Sequence, residues 1–405
     1  MDFKILEQKN MKLIGHDPLL GYGGMGEGIS LQKTKDGRRV LWMAHESAPK
    51  NFTGVDVTDP RNPKTIIQTD LPHNKVRSNS LETVGDLMCV AYQTAEVGLE
   101  PAGFEMFDIS KPEEPKVIGR YDASGPHSRG IHQVWFVDGE YVHCASGHRD
   151  FEPTHPQDDQ PYRIISVKDP TKPVDVGLWW QPGTRKGDSA PPPERLRLDS
   201  GYRAHNTNVY PSRPDRAYIG NIDGGAWILD ISDMSNPKPI SHWNPHPPYP
   251  GMTHTAMPLF SRDLMIVTEE CTKEDCSDWP KLTWVVDMRD EKNLIPISTL
   301  PLPPMEDFKA RGGRYGSHNV HENKPGDLSF HSDNLIFGTF FSGGLRVFDL
   351  TNPLRPEEVA TFVPEAPKGS RVGSIQFNDV HVDENGIVYT MDRMAGGLYI
   401  LEMEI

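Results

Sequence analysis

Four histidines each begin a similar short segment of this 405-residue sequence. The segments are HQVWFVDG, HNTNVYPS, HTAMPLFS and HNVHENKP, and the histidines are His132, His205, His254 and His318. An imidazole binds a metal through one nitrogen while a neighbouring acceptor holds the other. Four imidazoles at equivalent positions therefore predict one metal centre, provided that the fold brings the four segments together.

The ligand types limit the metals that such a centre would hold. An all-imidazole set without cysteine suits Fe(II), Cu, Mn or Zn better than Ca or Mg, which prefer oxygen ligands. We expect Fe(II) first, with copper, manganese or zinc as alternatives. Two free neighbouring coordination positions would allow oxidative cleavage of a small organic substrate, which is our first hypothesis. A single free position would suit a hydrolase or a lyase instead.

One phrase recurs along the whole sequence: an apolar strand that ends in Asp, a Pro-rich turn and another apolar strand. The copies are FTGVDVTDPRNPKTIIQT, FEMFDISKPEEPKVIGRY, YRIISVKDPTKPVDVGLW, AWILDISDMSNPKPISHW, TWVVDMRDEKNLIPISTL and LRVFDLTNPLRPEEVATF, with a shortened LYILEMEI at the end. The Asp can bond to its own backbone and the prolines end the strand ladder, so the phrase joins two strands. The 37 prolines and 36 glycines also favour many short strands over long helices.

Each copy has room for four short strands, which predicts an all-β, seven-bladed β-propeller. The last copy lacks its outer strand, and FKILEQ near the N-terminus resembles the outer strands PKVIGRY and PKTIIQT. We expect an N-terminal strand, at about residues 2–9, to complete the last blade and close the ring, because closure removes exposed edges. The whole chain, 1–405, then forms a single domain whose innermost strands surround one axis.

The strand, Asp, turn and Pro phrase resembles the repeats of the LVIVD-repeat β-propeller proteins and covers nearly the whole chain. That resemblance implies the β-propeller fold but indicates almost nothing about activity. The histidine column is similar in geometry to that of the carotenoid cleavage oxygenases, seven-bladed propellers with four axial histidines on iron. The sequence shows no similarity to them beyond this column, so the resemblance implies only an axial iron site.

The inner strand of a blade starts at the same rim where the second strand ends. At that rim we expect Glu269, Glu270 and His148 to act as catalytic groups or to orient a ligand. The insertions 147–160, 183–202, 272–281 and 303–316 should cover this rim and enclose a largely apolar pocket with a few polar groups. The predicted pocket residues are Asn79, Asn378, Phe151, Trp279, Phe340, Arg203 and Arg393. Arginines there would pair with a carboxylate on the substrate.

Charge and composition exclude several classes of partner. The formal net charge of -15 disfavours nucleic acid and anionic lipid. No apolar run approaches the ~20 residues of a membrane-spanning helix, and the N-terminus has no apolar secretory core. We therefore expect a cytoplasmic protein with a small-molecule substrate, no nucleic acid and no membrane. The competing hypothesis is a non-catalytic scaffold that binds a protein or a glycan at its rim.

Overall fold

Short apolar runs between proline-rich turns fold this chain almost entirely into antiparallel strands. A computed structural model describes residues 3–404. Within that range the strands form seven blade-like sheets and one small hairpin, so the predicted seven-bladed propeller is confirmed. No helix in these residues is long and apolar enough to cross a bilayer.

The first half of the chain supplies three blades. The N-terminal segment contributes β1 (Ile5–Lys9) and β2 (Met11–Asp17). Blade 1 contains β3 (Met25–Lys33), β4 (Arg39–His45), β5 (Lys50–Asp56) and β6 (Lys64–Asp70). Blade 2 contains β7 (Val76–Arg77), β8 (Leu81–Val84), β9 (Leu87–Thr94), β10 (Gly103–Asp108) and β11 (Lys116–Asp122), and the hairpin β12 (Ser124–Gly125) and β13 (Ser128–Arg129) follows. Blade 3 contains β14 (Ile131–Trp135), β15 (Tyr141–Ser146), β16 (Tyr162–Ser166) and β17 (Val174–Trp179).

The second half of the chain supplies four more blades. Blade 4 contains β18 (Thr207–Tyr210), β19 (Arg213–Gly220), β20 (Ala226–Asp230) and β21 (Lys238–Trp243). Blade 5 contains β22 (Thr253–Leu259), β23 (Leu264–Glu269), β24 (Thr283–Asp287) and β25 (Ile295–Thr299). Blade 6 contains β26 (Leu335–Thr339), β27 (Leu345–Asp349) and β28 (Glu357–Pro364), and blade 7 contains β29 (Phe377–Val382), β30 (Ile387–Asp392) and β31 (Gly397–Met403). One short helix, α1, spans Met305–Lys309, and 3-10 turns lie at Leu19–Gly21, Pro156–Asp158 and Phe260–Arg262.

The ring closes through the N-terminal segment, as the truncated last repeat predicts. β2 pairs with β31 and becomes the outer strand of blade 7, with Met11 opposite Met403. β1, which spans residues 5–9 of the predicted closing segment, pairs instead with β28 at the edge of blade 6. The closing strand therefore begins later than predicted, and the same segment covers the edges of two neighbouring blades.

The repeated Asp residues have the structural role that the phrase predicts. Each accepts a hydrogen bond from the backbone N–H two residues later and so fixes the turn between the third and fourth strands. The bonds are Asp56 to Thr58 and Asp108 to Ser110, both 2.9 Å, Asp230 to Ser232 (2.9 Å), Asp287 to Arg289 (3.0 Å) and Asp349 to Thr351 (2.6 Å). These carboxylates are thereby used in turns at the outer part of the blades.

The innermost strands carry a β-bulge at the position of the histidine column. In β14 the register with β15 shifts between Ile131 and Gln133, so His132 is the extra residue. The same shift occurs around His254 in β22 and around Asn378 in β29. A bulge bends a strand and changes the direction of one side chain, so these residues leave the alternating pattern of their strands.

Candidate metal centre

The four column histidines converge at one end of the propeller axis. The ring centroids of His132 and His205 are 4.4 Å apart, those of His205 and His254 3.8 Å, and those of His254 and His318 4.6 Å. All four residues are buried. Four consecutive blades thus present an arc of imidazoles to a common point.

His205 and His318 are also extra residues at a bulge, although no regular strand includes them. The N–H of His205 donates to Gly220 O (2.7 Å), and the N–H of Gly220 donates to the carbonyl of the residue after His205 (3.0 Å). His318 and Thr339 repeat this arrangement at 3.1 and 2.9 Å. Two residues of the inner strand oppose one residue of the second strand in each case, which explains why the histidines share one direction.

A carboxylate from blade 1 completes the arc. Glu27 Oε2 lies 3.6 Å from His254 Nε2, 3.8 Å from His132 Nε2 and 3.9 Å from His205 Nε2. Its other oxygen, Oε1, lies 3.6 Å from His318 Nε2. The Glu27 side chain is only 8% exposed. Every Nε2 atom of the column therefore faces the same buried carboxylate.

Sequence reasoning missed Glu27, because the column was recognised by its histidines and blade 1 has a different residue type there. Glycines on both sides of Glu27 bring its strand against blade 2: a Cβ at Gly26 would lie 2.6 Å from Asn79 O, and one at Gly28 would lie 2.2 Å from Leu81 N. The N–H of Glu27 donates to Asn79 O at 2.7 Å. A single charged residue between glycines was the signal that could have identified it.

Each imidazole is held through Nδ1, which leaves Nε2 facing the centre. The partner atoms are Gln93 Oε1 for His132 (3.0 Å), Asn206 Oδ1 for His205 (3.0 Å), Thr255 Oγ1 for His254 (2.9 Å) and Asn378 O for His318 (2.6 Å). Arg77 Nη2 lies 3.2 Å from His132 Nδ1 but makes its shorter bond, of 2.7 Å, to the same Gln93 Oε1, so the Nδ1 proton of His132 and Arg77 share this acceptor. A neutral imidazole that donates from Nδ1 has its Nε2 lone pair free, which is the state in which histidine binds metals.

The charges of the cluster are strongly coupled. Burial, followed by repulsion from His205, lowers the pKa of His132 well below its usual value, and burial together with His254 lowers the pKa of His205 to about 3. Burial acts to raise the pKa of Glu27, but the facing imidazoles of His254 and His318 outweigh it, so that this pKa falls well below the usual range. Burial lowers the pKa of His254, and Glu27 more than reverses that effect. The centre is thus an anionic carboxylate among nitrogen donors.

The distances fit a metal ion. When metal–ligand bonds are ~2.1 Å long, two ligand atoms lie ~3.0 Å apart if they subtend a right angle at the metal. They lie ~4.2 Å apart if they are on opposite sides of it. The separations of Glu27 from the histidines lie inside that range, whereas the Nε2 atoms of His132 and His205, at 2.8 Å, are slightly closer to each other than its lower end. Glu27 Oε2, His254 Nε2 and His318 Nε2 are buried and have no hydrogen-bond partner among residues 3–404. These residues can hold a metal ion, in overlapping groups whose ligand atoms lie within 4.8 Å of one another.

Of the two predicted rim carboxylates, Glu270 joins the cluster. Its Oε1 lies 3.7 Å from His318 Nε2 and accepts a hydrogen bond of 2.6 Å from Arg314. Burial raises the pKa of Glu270, whereas the nearby His318 and Arg314 lower it, and the net result is a pKa of about 2. This carboxylate is therefore ionised beside the arc of histidines.

Glu269 lies elsewhere, because consecutive residues of a strand point to opposite faces. Its Oε2 accepts hydrogen bonds of 3.2 Å from the N–H of Leu282 and from Trp284 Nε1. Burial raises its pKa to about 7. Glu269 belongs to the packing of blade 5, and the structure gives it no contact with the axial histidines.

Two further predicted residues lie away from the axis, on the outer part of blade 3. His148 pairs with Asp150 at 2.9 Å, and Phe151 packs edge to face on Trp180 with ring centroids 6.1 Å apart. Insertions that follow a second strand can run outward along the blade as well as over the channel. We therefore leave both residues out of the proposed site.

The apolar residue at the centre is Phe341 rather than the predicted Phe340. The rings of Phe341 and His318 have centroids 4.6 Å apart, and the positive φ of Phe341 (49°) turns its side chain toward the axis. Phe340 packs on Phe348 between blades. Trp279 lies one layer out, in the same apolar cluster as Phe341. Of the three aromatic residues predicted for the pocket, only Trp279 therefore lies near this cluster, and Phe341 takes the position expected for Phe340.

The two predicted asparagines flank Glu27 around the ring. Asn378 Nδ2 donates to Gly26 O at 2.6 Å and so fixes the glycine-rich segment. Both amide atoms of Asn79, and Oδ1 of Asn378, are buried without a hydrogen-bond partner in the described part of the chain. These polar atoms are available to water or to a ligand in the channel.

Four partly buried arginines border the cluster. Arg77 and Arg393 both donate to Glu46 Oε1, at 2.8 and 2.5 Å, and the guanidinium groups of Arg314 and Arg393 lie over the same aromatic ring. Arg203 donates to a neighbouring amide at 2.7 Å, and its Nε is buried without a partner within residues 3–404. The exposed fractions of the four side chains lie between 12% and 28%. This arginine rim therefore includes both predicted arginines and two more.

A cavity of about 440 Å³ lies at the other end of the inner strands. Its lining includes Lys33, Glu82 and Lys324, and an ion pair joins the last two. The amino group of Lys324 also donates to Ile29 O at 2.9 Å. The segment that contains Lys324 thus lies at the opposite mouth of the channel. The arginine rim is the mouth nearest to the four column histidines.

Comparisons with known proteins agree with the architecture. Residues 215–243, in blade 4, match the family model described as the LVIVD repeat. The chain is similar in structure to the β-propeller domain of Myceliophteria thermophila Cps50 (Swd1), with a TM-score of 0.55, 11% identity and 99% of both chains covered. At that identity the likeness shows the fold alone. No curated protein matches the sequence.

Proposed function

We propose that this chain is a metal-dependent enzyme whose ion is held at the propeller axis by His132, His205, His254, His318 and Glu27. The observation that carries the proposal is that four imidazoles, each engaged at Nδ1, direct Nε2 at one buried carboxylate. A divalent first-row ion in that position would supply Lewis acidity or redox chemistry. Iron(II) is our first candidate, since nitrogen donors with one carboxylate suit that ion.

The arginine rim supports a small anionic substrate. Four guanidinium groups line this mouth in a protein whose formal net charge is -15, and the carboxylates paired with them are Glu46, Glu270 and, at 4.0 Å, Asp159. Burial, followed by repulsion from Arg393, lowers the pKa of Arg314, so positive charge is crowded there. Together with a bound divalent ion, these guanidinium groups would give the mouth a local positive potential, which attracts anions. Guanidinium groups bind carboxylates and other oxyanions through paired N–H donors.

The remaining residues of the mouth have separate tasks in this proposal. Phe341 offers an apolar face beside His318 for the organic part of the substrate. The unpartnered amide of Asn79 would hydrogen-bond a polar group of the substrate or a water molecule. Glu270 is ionised and held by Arg314, so we assign it the positioning of His318 and of donors on the substrate.

We propose oxidation of a small organic acid with dioxygen as the first reaction to test. The same residues around zinc would favour hydrolysis or elimination, because zinc has no redox chemistry. The bound metal separates these reactions before any substrate is known.

Elemental analysis of untagged protein, purified without chelators, tests the metal centre. We expect iron, manganese, copper or zinc at the axis, and less of it in a His205→Ala/His254→Ala variant. Both substitutions keep the backbone hydrogen bonds of the blades, and circular dichroism checks that the variant is folded. Equal metal content in the parent and in this variant, or no binding after anaerobic reconstitution, would overturn the proposal.

Binding of small carboxylates to the metal-loaded protein, measured by calorimetry, tests the substrate class. Arg393→Gln should weaken binding of a carboxylate about 10-fold or more, since one charge-assisted contact contributes ~1.5–3 kcal/mol. Arg289→Gln is the matched control, because Arg289 is exposed and bonds to a turn carboxylate. Equal affinity for a carboxylate and its uncharged amide would contradict an anionic substrate.

A further inference from the structure

A second group of metal-binding side chains lies outside the axial centre, where the insertion 183–202 meets blade 4. It consists of Asp199, Asp223 and His246, whose ligand atoms lie within 4.8 Å of one another. Asp223 follows the second strand of blade 4, and His246 follows its outer strand. The side chains of Asp199 and His246 are each 2% exposed, and Asp223 is 1% exposed.

The orientation of His246 leaves a lone pair in this group. Its Nδ1 lies 2.7 Å from Tyr249 O, and a carbonyl oxygen can only accept, so Nδ1 carries a proton. Its Nε2 lies 3.1 Å from Asp199 Oδ1, but the pair does not have hydrogen-bond geometry. Both atoms are buried and have no hydrogen-bond partner in the described residues.

The carboxylates are held so that each keeps an oxygen for a ligand. Asp223 Oδ2 accepts from the N–H groups of Ser200 and Gly201 at 2.5 and 2.7 Å, while its Oδ1 has only a bond of 3.3 Å from Met252 N. Asp199 Oδ2 accepts a hydrogen bond from the N–H of Leu196 (2.9 Å), so its Oδ1 remains available to a ligand. Two carboxylate oxygens and an imidazole nitrogen therefore face one another, and two of the three, Asp199 Oδ1 and His246 Nε2, have no hydrogen-bond partner in the described residues.

Such an arrangement is unfavourable without a cation, because buried carboxylates repel each other and an unmade hydrogen bond costs ~1–3 kcal/mol. We propose that Asp199, Asp223 and His246 bind a second divalent transition-metal ion, such as zinc or manganese. Oxygen donors with one imidazole suit these ions, and the held Nδ1 is the usual support of a metal-binding histidine. This site is independent of the axial centre and shares no residue with it.

The ion would join three segments of chain. Asp199 lies in the long insertion, Asp223 belongs to blade 4, and His246 belongs to the connection toward blade 5. Arg203, a member of the arginine rim, follows Asp199 closely in sequence. The second ion would therefore stabilise the insertion and one side of the mouth rather than take part in the chemistry.

Cobalt(II) titration of a variant that lacks the axial site tests this proposal. In the His205→Ala/His254→Ala variant we expect one equivalent of cobalt(II) to bind. Bound cobalt should be detected by visible absorption bands that differ from those of the free ion. Adding Asp199→Asn should weaken that binding at least 10-fold, since asparagine keeps the shape but loses the anionic ligand. The matched control is Asp188→Asn, because Asp188 lies in the same insertion and accepts only from Trp180 and backbone N–H groups.

Limited trypsin digestion gives a second readout on the parent protein. Arg197 is exposed and lies two residues before Asp199, so removal of the ion by a chelator should accelerate cleavage there, and zinc or manganese should reverse this. If Asp199→Asn does not fold, His246→Gln replaces it. Unchanged cobalt binding in a folded Asp199→Asn protein, or no binding in the axial variant, would overturn the proposal, as would digestion that is insensitive to chelator.

Discussion

Replacing Glu27 by glutamine is the sharpest test of the axial centre. Glutamine keeps the size of the side chain and the glycine-flanked backbone, and it removes the charge that faces all four Nε2 atoms at 3.6–3.9 Å. Structural zinc sites bind with ~10–16 kcal/mol from about four ligands, or ~3 kcal/mol for each. Losing one anionic donor should then weaken metal binding by roughly 100-fold.

The assay is competition for the metal against a chelator of known affinity, followed at constant pH for the parent and the variant. Glu269→Gln is the matched control, since Glu269 is an equally buried glutamate whose oxygen bonds to Trp284. It should bind metal like the parent. Circular dichroism should show both variants folded.

Two results would refute the reasoning about Glu27. If Glu27→Gln bound the metal as tightly as the parent, the carboxylate would not be a ligand. If Glu269→Gln lost the metal to the same extent, the effect would come from blade 5 or from general destabilisation and not from the axis.

Three further predictions concern the support of the site and its environment. Thr255→Val removes the acceptor at Nδ1 of His254 and should weaken metal binding 10–100-fold in the same competition assay. Gly28→Ala puts a Cβ 2.2 Å from Leu81 N and should lower the free energy of unfolding by ~1–3 kcal/mol in urea, with loss of metal. Burial lowers the pKa of His143 from 6.5 to about 3, so the folded protein keeps this imidazole neutral. The free energy of unfolding should therefore fall by about 3 kcal/mol between pH 7 and pH 4, and His143→Gln should flatten this pH dependence in the metal-free protein.

Each of these has a result that would contradict it. Metal affinity unchanged by Thr255→Val would mean that another group orients His254. A Gly28→Ala protein as stable as the parent would mean that blades 1 and 2 can separate at little cost. For His143, the sign follows from a pKa lower in the folded state, which adds stability above pH 6.5 and loses it as the pH falls toward 3; an unchanged slope in His143→Gln would place the acid sensitivity elsewhere.

The repeated phrase was sufficient to predict the propeller, because turn chemistry and strand alternation are local properties. Asp56 and its counterparts in the other copies bond to their own turns, so a sequence pattern of a few residues specifies the structure that it forms. The closing strand was harder to place. Ile5–Lys9 and Met11–Asp17 are both plausible outer strands, and only tertiary pairing assigns the second one to blade 7.

The histidine column could be found because its members have one residue type in aligned segments. Glu27 could not be found in that way, because its blade carries a different residue type and an irregular register between Met25 and Ile29. The β-bulges could not be predicted from the alternation of side chains along a strand, because a bulge interrupts that alternation. Parity did separate Glu269 from Glu270 once the structure had fixed which of them faces the axis.

The seven blades have the same fold but carry two kinds of residue at the column position, so the candidate metal ligands are concentrated on one side of the axis. Blades 3 to 6 present imidazoles, whereas blades 7, 1 and 2 present Asn378, Glu27 and Asn79 at corresponding positions. An ion bound by the imidazoles and Glu27 would lie closer to the histidine arc, because four of its donors come from that side. The buried amides of Asn79 and Asn378 that lack partners within residues 3–404 then border the less crowded side. A substrate held by the arginine rim would approach the ion from there, since polar atoms without partners are the ones that a ligand can satisfy.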